Sequence, residues 1–246
     1  AYEIMKEEAE QGNAYAMADM GKMYGQGIFV EADKAKAQEW YEKSLKAMLI
    51  VEGRKENTYL EYRIGKMFAA GLGTEQDYGE AALWFSKAVD ANHKYAQYSL
   101  AGLYYRGQGV EQDYARAFHL YECSALQKNP YASYELAKMC RDGIGTVKNN
   151  QAAGEHFQNA FTGFFYLEKE SHDDKLQYRL GQMLHTGTGT ERDDVAAADY
   201  WERSAKLGNV NAQYALGKLW LESGTGDPAQ AVAWLEKAAD GGHAAA

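Results

Sequence analysis

A chain of 246 residues with two prolines and twenty-five glycines is longer than one central core usually serves, which leaves two domains or an extended array. Its formal charge of −9 argues against duplex nucleic acid as the main partner, because that affinity comes largely from phosphates neutralised by Lys and Arg. No apolar run approaches the roughly 20 residues of a membrane span, and the N-terminus lacks a basic-then-apolar signal pattern. The chain therefore reads as soluble and cytoplasmic, or as periplasmic or secreted if a signal peptide was removed.

In chain order, residues 1–13 read as the remnant of a preceding helix. Then a frame recurs around Tyr62, Tyr98, Tyr134, Tyr178 and Tyr214, which stand 36, 36, 44 and 36 residues apart. Two positions on comes Ile64, Leu100, Leu136, Leu180 or Leu216, followed by a small residue: Gly65, Ala101, Ala137, Gly181 or Gly217. This is a first helix in close contact with another. It stops at Gly71/Gly73, Gly107/Gly109, Gly143/Gly145 and Gly187/Gly189, since glycine tolerates the left-handed conformation that closes a helix. Asp77, Asp113, Asn149 and Asp193 can accept the free N–H groups of a second helix, which carries alanines and aromatic pairs such as Trp84-Phe85 and Tyr200-Trp201.

Each unit is thus a helical hairpin, and the units run about 14–57, 58–93, 94–129, 130–173, 174–209 and 210–243. The first fits at Ala18, Met20, Gly21 and Gly27, but Phe29 replaces the second glycine, so a different loop is expected there. The first and fourth units carry apolar extras, Met48-Leu49-Ile50-Val51, and Phe161 with Phe164-Phe165-Tyr166-Leu167. These either lengthen the second helix and cover a neighbouring hairpin or form an exposed contact patch, and covering is favoured because solvent-facing phenylalanine runs are uncommon. The opening without methionine, and Ala244–Ala246 reading as the start of another first helix, point to a fragment cut through a repeat array, with self-association through open ends as one consequence.

The segments Ala212-Gln213-Tyr214-Ala215-Leu216-Gly217, Gly107-Gln108-Gly109-Val110-Glu111-Gln112-Asp113 and Trp234-Leu235-Glu236-Lys237-Ala238-Ala239 resemble Sel-one-like repeats, relatives of tetratricopeptide repeats. The resemblance covers nearly the whole chain. It implies an all-α fold, a right-handed α-α superhelix (solenoid) of about six helical hairpins, forming a single array over 1–246 and acting as a protein-binding scaffold or adaptor without catalysis. The chain is also similar to repeat arms of larger bacterial proteins, including some plasmid-mobilisation relaxases, which leaves open an accessory arm that positions a catalytic domain.

In each first helix, positions −2, +2, +3 and +6 from the repeat tyrosine form the core stripe, as in Ala96, Leu100, Ala101 and Tyr104, or Ala132, Leu136, Ala137 and Cys140. The opposite stripe holds Tyr59, Tyr62 and Lys66; Tyr95, Tyr98 and Tyr105; Tyr131, Tyr134, Lys138 and Arg141; Tyr178 and His185; and Tyr214 and Lys218. The resemblance places this tyrosine ladder on the concave face. Tyrosine offers contact area with a hydroxyl handle, and cations beside it in an acidic chain point to a carboxylate-bearing peptide. The ladder can equally be edge-to-edge packing between hairpins, and the cations can be merely solvated.

No cofactor or metal is expected. The glycine pairs recur in every loop without the strand that a dinucleotide site needs, and the six histidines fall at unrelated repeat positions with no H-E-x-x-H. His119 and Glu122 share a helix face, His172-Asp173-Asp174 reads as a polar turn, and Cys123 as a partly exposed thiol with no base and orienting group in evidence.

Overall fold

The computed structural model describes residues 2–54, 56–224 and 226–245. Among them, helix α1 (Tyr2–Glu10) precedes six hairpins: α2 (Ala14–Gln26) with α3 (Lys34–Glu52), α4 (Thr58–Ala70) with α5 (Tyr78–Asp90), and α6 (Lys94–Arg106) with α7 (Tyr114–Leu126). They continue as α8 (Pro130–Asp142) with α9 (Asn150–Ser171), α10 (Asp174–Thr186) with α11 (Asp194–Lys206), and α12 (Val210–Ser223) with α13 (Pro228–Asp240). The fold is an all-α solenoid of helical hairpins. Its contacts form two compact units, Ala1–Gln127 and Lys128–Ala246, and the division falls at the junction of the third and fourth repeats.

At Gly65 and Gly181 the small residue of the first helix is required by the ring opposite. A Cβ at Gly65 would stand 2.6 Å from the Phe85 ring, and one at Gly181 2.5 Å from that of Trp201. Trp201 also uses this proximity to donate its indole N–H to the Tyr178 carbonyl at 3.1 Å. A second link recurs: the buried hydroxyls of Ser44, Ser124 and Ser204 donate to the carbonyls of Ala14, Lys94 and Asp174 at 2.6, 2.6 and 2.7 Å. Each ties the second helix to the first turn of its partner and satisfies a polar group that burial would otherwise penalise.

The core stripe is buried as expected at Ala96, Leu100, Ala101, Ala132, Leu136, Ala137 and Cys140, while Tyr104 is half-buried under the Arg116 guanidinium. Asp77, Asp113, Asn149 and Asp193 cap the second helices, each accepting backbone N–H groups.

The first loop departs from expectation. Phe29 adopts φ 63°, matching Gly73 at 73° and Gly109 at 69°, and Ile28 and Asp33 bond back to Met23 and Tyr24 in the pattern that Leu72 and Asp77 make with Met67 and Phe68. The loop is thus the common one. A Cβ at Gly73 would lie 2.3 Å from the backbone of Tyr41, and one at Gly109 2.2 Å from that of Tyr78. In those loops glycine is demanded by a neighbouring helix as well as by φ, whereas Phe29, 69% exposed, bears only the left-handed strain.

The apolar extras lengthen α3 to 19 residues and α9 to 22, against 13 in the other second helices. The covering role holds for some of these side chains and not for others. Met48 and Phe164 are fully buried in the cores of their units, while Leu49, Ile50, Val51 and Tyr166 face solvent. At the C-terminal end Ala244 and Ala245 lie in a turn rather than a helix, and Ala246 falls outside the described residues.

Candidate functional site

In the unit Ala1–Gln127 the ladder positions of three successive first helices form one connected set of rings. Tyr15 on α2 lies 5.9 Å from Tyr59 on α4. Tyr62 lies 4.8 Å from His93 and 6.1 Å from Tyr95, and His93 is 6.5 Å from Tyr59 and 5.9 Å from Tyr95. Tyr15, Tyr59 and Tyr95 are 38%, 49% and 40% exposed, enough for a partner to cover them. Tyr62 is more enclosed, and burial pushes its phenol pKa up. Tyr98 turns toward Tyr121 at 5.6 Å, and Tyr105 leaves the ladder to meet Tyr114 edge-on at 5.3 Å.

His93 holds this position because it caps α6: its Nδ1 accepts the Ala96 N–H at 3.2 Å. Burial first, and then the Lys94 charge, holds its pKa below the ordinary value. A histidine that sequence reasoning did not place on the ladder is therefore its central ring.

The cations of this face lie on the rings. The Arg63 guanidinium sits 5.6 Å from the Tyr15 centroid and donates to the Tyr59 hydroxyl at 3.4 Å; Lys66 and Lys94 sit 5.8 and 5.1 Å from the centroids of Tyr62 and Tyr95. Lys66 remains solvent-accessible, yet burial of its surroundings, then Arg63 and Lys22, push its ammonium pKa down. The ion pairs of this unit among the described residues, Lys36–Asp33, Lys46–Glu42 and His119–Glu122, lie elsewhere. Beside Lys66 an open cleft of about 490 Å³ runs between α4 and α6, with Phe85, Tyr98, Ser99, Gly102 and Arg106 in its lining.

The unit Lys128–Ala246 treats the same register differently. Tyr131 and Tyr134 pack on Phe164 of the lengthened α9 at 5.0 and 6.2 Å, and Arg179 covers Tyr134 and Phe164 at 5.0 and 5.2 Å. Three cations of its ladder are paired locally, Lys138 with Glu135 at 2.7 Å, Arg141 with Asp142 at 2.8 and 2.9 Å, and Lys218 with Glu222 at 3.7 Å, while the His185 Nδ1 lies 2.6 Å from Asp194 Oδ1. The Tyr178 hydroxyl accepts from Gln182 at 3.0 Å, and Tyr214 stacks on His243 at 4.1 Å.

The residues that sequence reasoning set apart from the ladder were Tyr15, Arg63, His93, Gly102 and Arg106. Tyr15 carried a legible signal, since it stands three residues before Ala18 in the same frame that selects Tyr59 and Tyr95. Arg63 and Arg106 reach the face only through the length of their side chains. His172 and Asp173 form the junction between α9 and α10 as C-cap and N-cap. Cys123 has the His119 imidazole 3.7 Å from its sulfur, one helical turn away.

Six segments, 14–47, 59–93, 94–129, 130–162, 175–209 and 210–243, match the family model described as the Sel1 repeat. The residues passed over between them include Met48–Val51 and Phe164–Leu167. The chain is similar to a Sel1 repeat protein from Oxalobacter formigenes, with 25% identity and a TM-score of 0.62 over 94% of this chain and 89% of that one. It is also similar to c5321, a protective antigen of uropathogenic Escherichia coli strains with an SLR fold, at 25% identity and a TM-score of 0.51. That match covers 98% of this chain but 56% of the antigen, so the chain spans little more than half of that protein's length.

Proposed function

The chain belongs to the Sel1 repeat family, whose members are generally protein-interaction scaffolds, and on that premise we propose that its first-helix face between Tyr15 and Arg106 binds an extended, carboxylate-bearing segment of a partner protein. One observation carries this reading: in this unit exposed tyrosines and cations without carboxylate partners lie on the same face. Exposed tyrosine supplies contact area at small entropic cost. A cation that is not neutralised within its own chain retains its attraction for a partner's acid.

The first-helix positions of the second unit, Tyr131, Tyr134, Lys138, Arg141, Tyr178, His185, Tyr214 and Lys218, are in this reading a weaker contact surface of that unit. Capture of partners by the wild-type chain and by a Tyr59→Ser/Tyr95→Ser variant, with folding checked by circular dichroism, tests the proposal. A partner retained by the first and lost by the second supports it. Equal retention removes this face as the binding surface and turns attention to the solvent-facing Leu49-Ile50-Val51 end of α3.

A further inference from the structure

We propose that the cleft between Lys66 and Arg106 is a specificity subsite that receives one acidic side chain, with an apolar neighbour, from the partner segment; this rests on the scaffold reading above. The cleft exists because of one residue. Four positions after the repeat tyrosine, the other first helices carry Lys22, Lys66, Lys138, Gln182 and Lys218, whereas α6 carries Gly102. A long side chain there would fill the space. In its absence Arg106 folds back along the helix: a Cβ at residue 102 would stand 3.1 Å from a terminal nitrogen of its guanidinium. Arg106 is held further by donating its Nε–H to Gln108 at 2.6 Å.

The lining divides by chemistry. Lys66 and Arg106 bring positive charge, Ser99, Tyr78 and Tyr98 bring hydroxyls, and Phe85, Ala69, Ala70 and Leu103 form the apolar wall. Among the described residues no carboxylate lines it, and burial, then the charges of Arg63 and Lys22, lower the Lys66 pKa. In a chain of net charge −9, this is a cationic recess with its countercharge missing. A guanidinium and an ammonium at a partly desolvated site give charge-assisted hydrogen bonds to a carboxylate, and the wall beside them favours an aliphatic or aromatic residue next in sequence. The occupant is therefore an aspartate or glutamate side chain beside a large apolar residue, within a partner segment laid along α4 and α6.

The test uses the whole chain and three small probes: N-acetyl-Leu-Glu-Leu-amide, its Leu-Gln-Leu twin, and N-acetyl-Leu-Leu with a free C-terminal carboxylate. Binding is followed by NMR at the backbone amides of Ser99 and Gly102 and at the Arg106 Nε–H. The glutamate probe shifts these signals saturably, and the glutamine twin does not. Lys66→Gln and Arg106→Gln each weaken binding about tenfold, the usual cost of losing a charge-assisted hydrogen bond.

Gly102→Gln abolishes binding while the melting temperature holds or rises, because residue 102 has an ordinary helical φ and α10 carries glutamine at the same position. That variant separates a filled cleft from a damaged fold. Equal binding of the two twins, undiminished binding by Gly102→Gln, or no saturable shift with the glutamate probe overturns the proposal. Tighter binding of the free-carboxylate probe overturns the side-chain assignment in favour of a chain terminus. If the glutamate probe fails while a partner is still lost on Tyr59→Ser/Tyr95→Ser, the subsite falls and the scaffold reading stands. If the probe binds and no partner is captured, the acid-binding chemistry of the cleft stands, and its assignment to a partner segment falls with the scaffold reading.

Discussion

The units Ala1–Gln127 and Lys128–Ala246 place the same ladder register in opposite circumstances. In the first, Tyr15 meets Tyr59, and Tyr59 and Tyr95 both meet His93, while all three tyrosines remain open to solvent. In the second, Tyr131 and Tyr134 lean on the buried Phe164, and the ladder cations Lys138, Arg141 and Lys218 pair with Glu135, Asp142 and Glu222. A repeat position is thus structural or available according to what its neighbours do with it. The two-turn extension of α9 supplies the ring that absorbs Tyr131 and Tyr134, and a carboxylate one to four positions away pairs with each of Lys138, Arg141 and Lys218. A variant that changes Tyr59, Tyr95 and Tyr131 together would mix these circumstances, so variants of the binding face should spare Tyr131.

The comparison breaks most visibly at Phe164. Phe164→Ala removes a fully buried ring and leaves a cavity, at an expected cost of about 3–5 kcal/mol, read as a loss of urea stability with hydrogen exchange accelerated in the second unit. Tyr59→Ser, by contrast, removes a half-exposed ring at an expected cost below about 1 kcal/mol. Similar costs for the two would show that the first ladder is as structural as the second. A smaller effect concerns charge. Lys66→Gln is expected to weaken a partner captured by the first face about tenfold, whereas Lys138→Gln, which loses an already neutralised cation, changes it less than about twofold; titration of the purified partner by fluorescence anisotropy distinguishes them.

His93 sharpens the comparison through pH. Its folded pKa is depressed, so the neutral cap stabilises α6 above the unfolded value of about 6.5 and that contribution is lost as pH falls through the lower folded value. The stability lost between pH 7 and pH 5 should be larger in the wild type than in His93→Asn, which caps without titrating in this range. A pH response left intact by the substitution would assign it to another group. The smallest expected effect is a gain: Gly102→Gln should stabilise α6 by about 0.5–1 kcal/mol by removing glycine from a helix interior, measured as a raised unfolding midpoint. A loss there would mean that the cleft cannot accept the side chain that other repeats carry.

Much of the fold is legible from residues alone. The recurrence of Tyr62, Ile64, Gly65 and Gly71 at fixed offsets specifies a hairpin because helical geometry brings residues three and four apart onto one face and because glycine closes a helix in the left-handed conformation. Asp77 and Asp113 announce their caps in the same way. These are local constraints, written within one turn of the residue that obeys them. Phe29 shows where locality ends: its identity suggests a different loop, but the loop repeats faithfully and the glycine elsewhere answers to the backbone of the preceding repeat.

The ladder follows the same division. Sequence placed Tyr59, Tyr62 and Tyr95 on one stripe, because the stripe is a property of the single helix. Whether a ring on that stripe is exposed, as Tyr59 is, or packed on another ring, as Tyr131 is, depends on a helix 30 or so residues away in sequence. His93 entered the ladder through a cap bond and a ring contact, Arg106 through a fold-back that the missing side chain of Gly102 permits. The sequence by itself determined the hairpins, their stops and their buried stripe, since these follow from periodicity and backbone sterics. Only the tertiary structure decided which tyrosines stay open and which cations lie on the rings of a neighbouring repeat, as Arg63 does on Tyr15, because burial and ring contacts are set by groups that the chain brings together from different repeats.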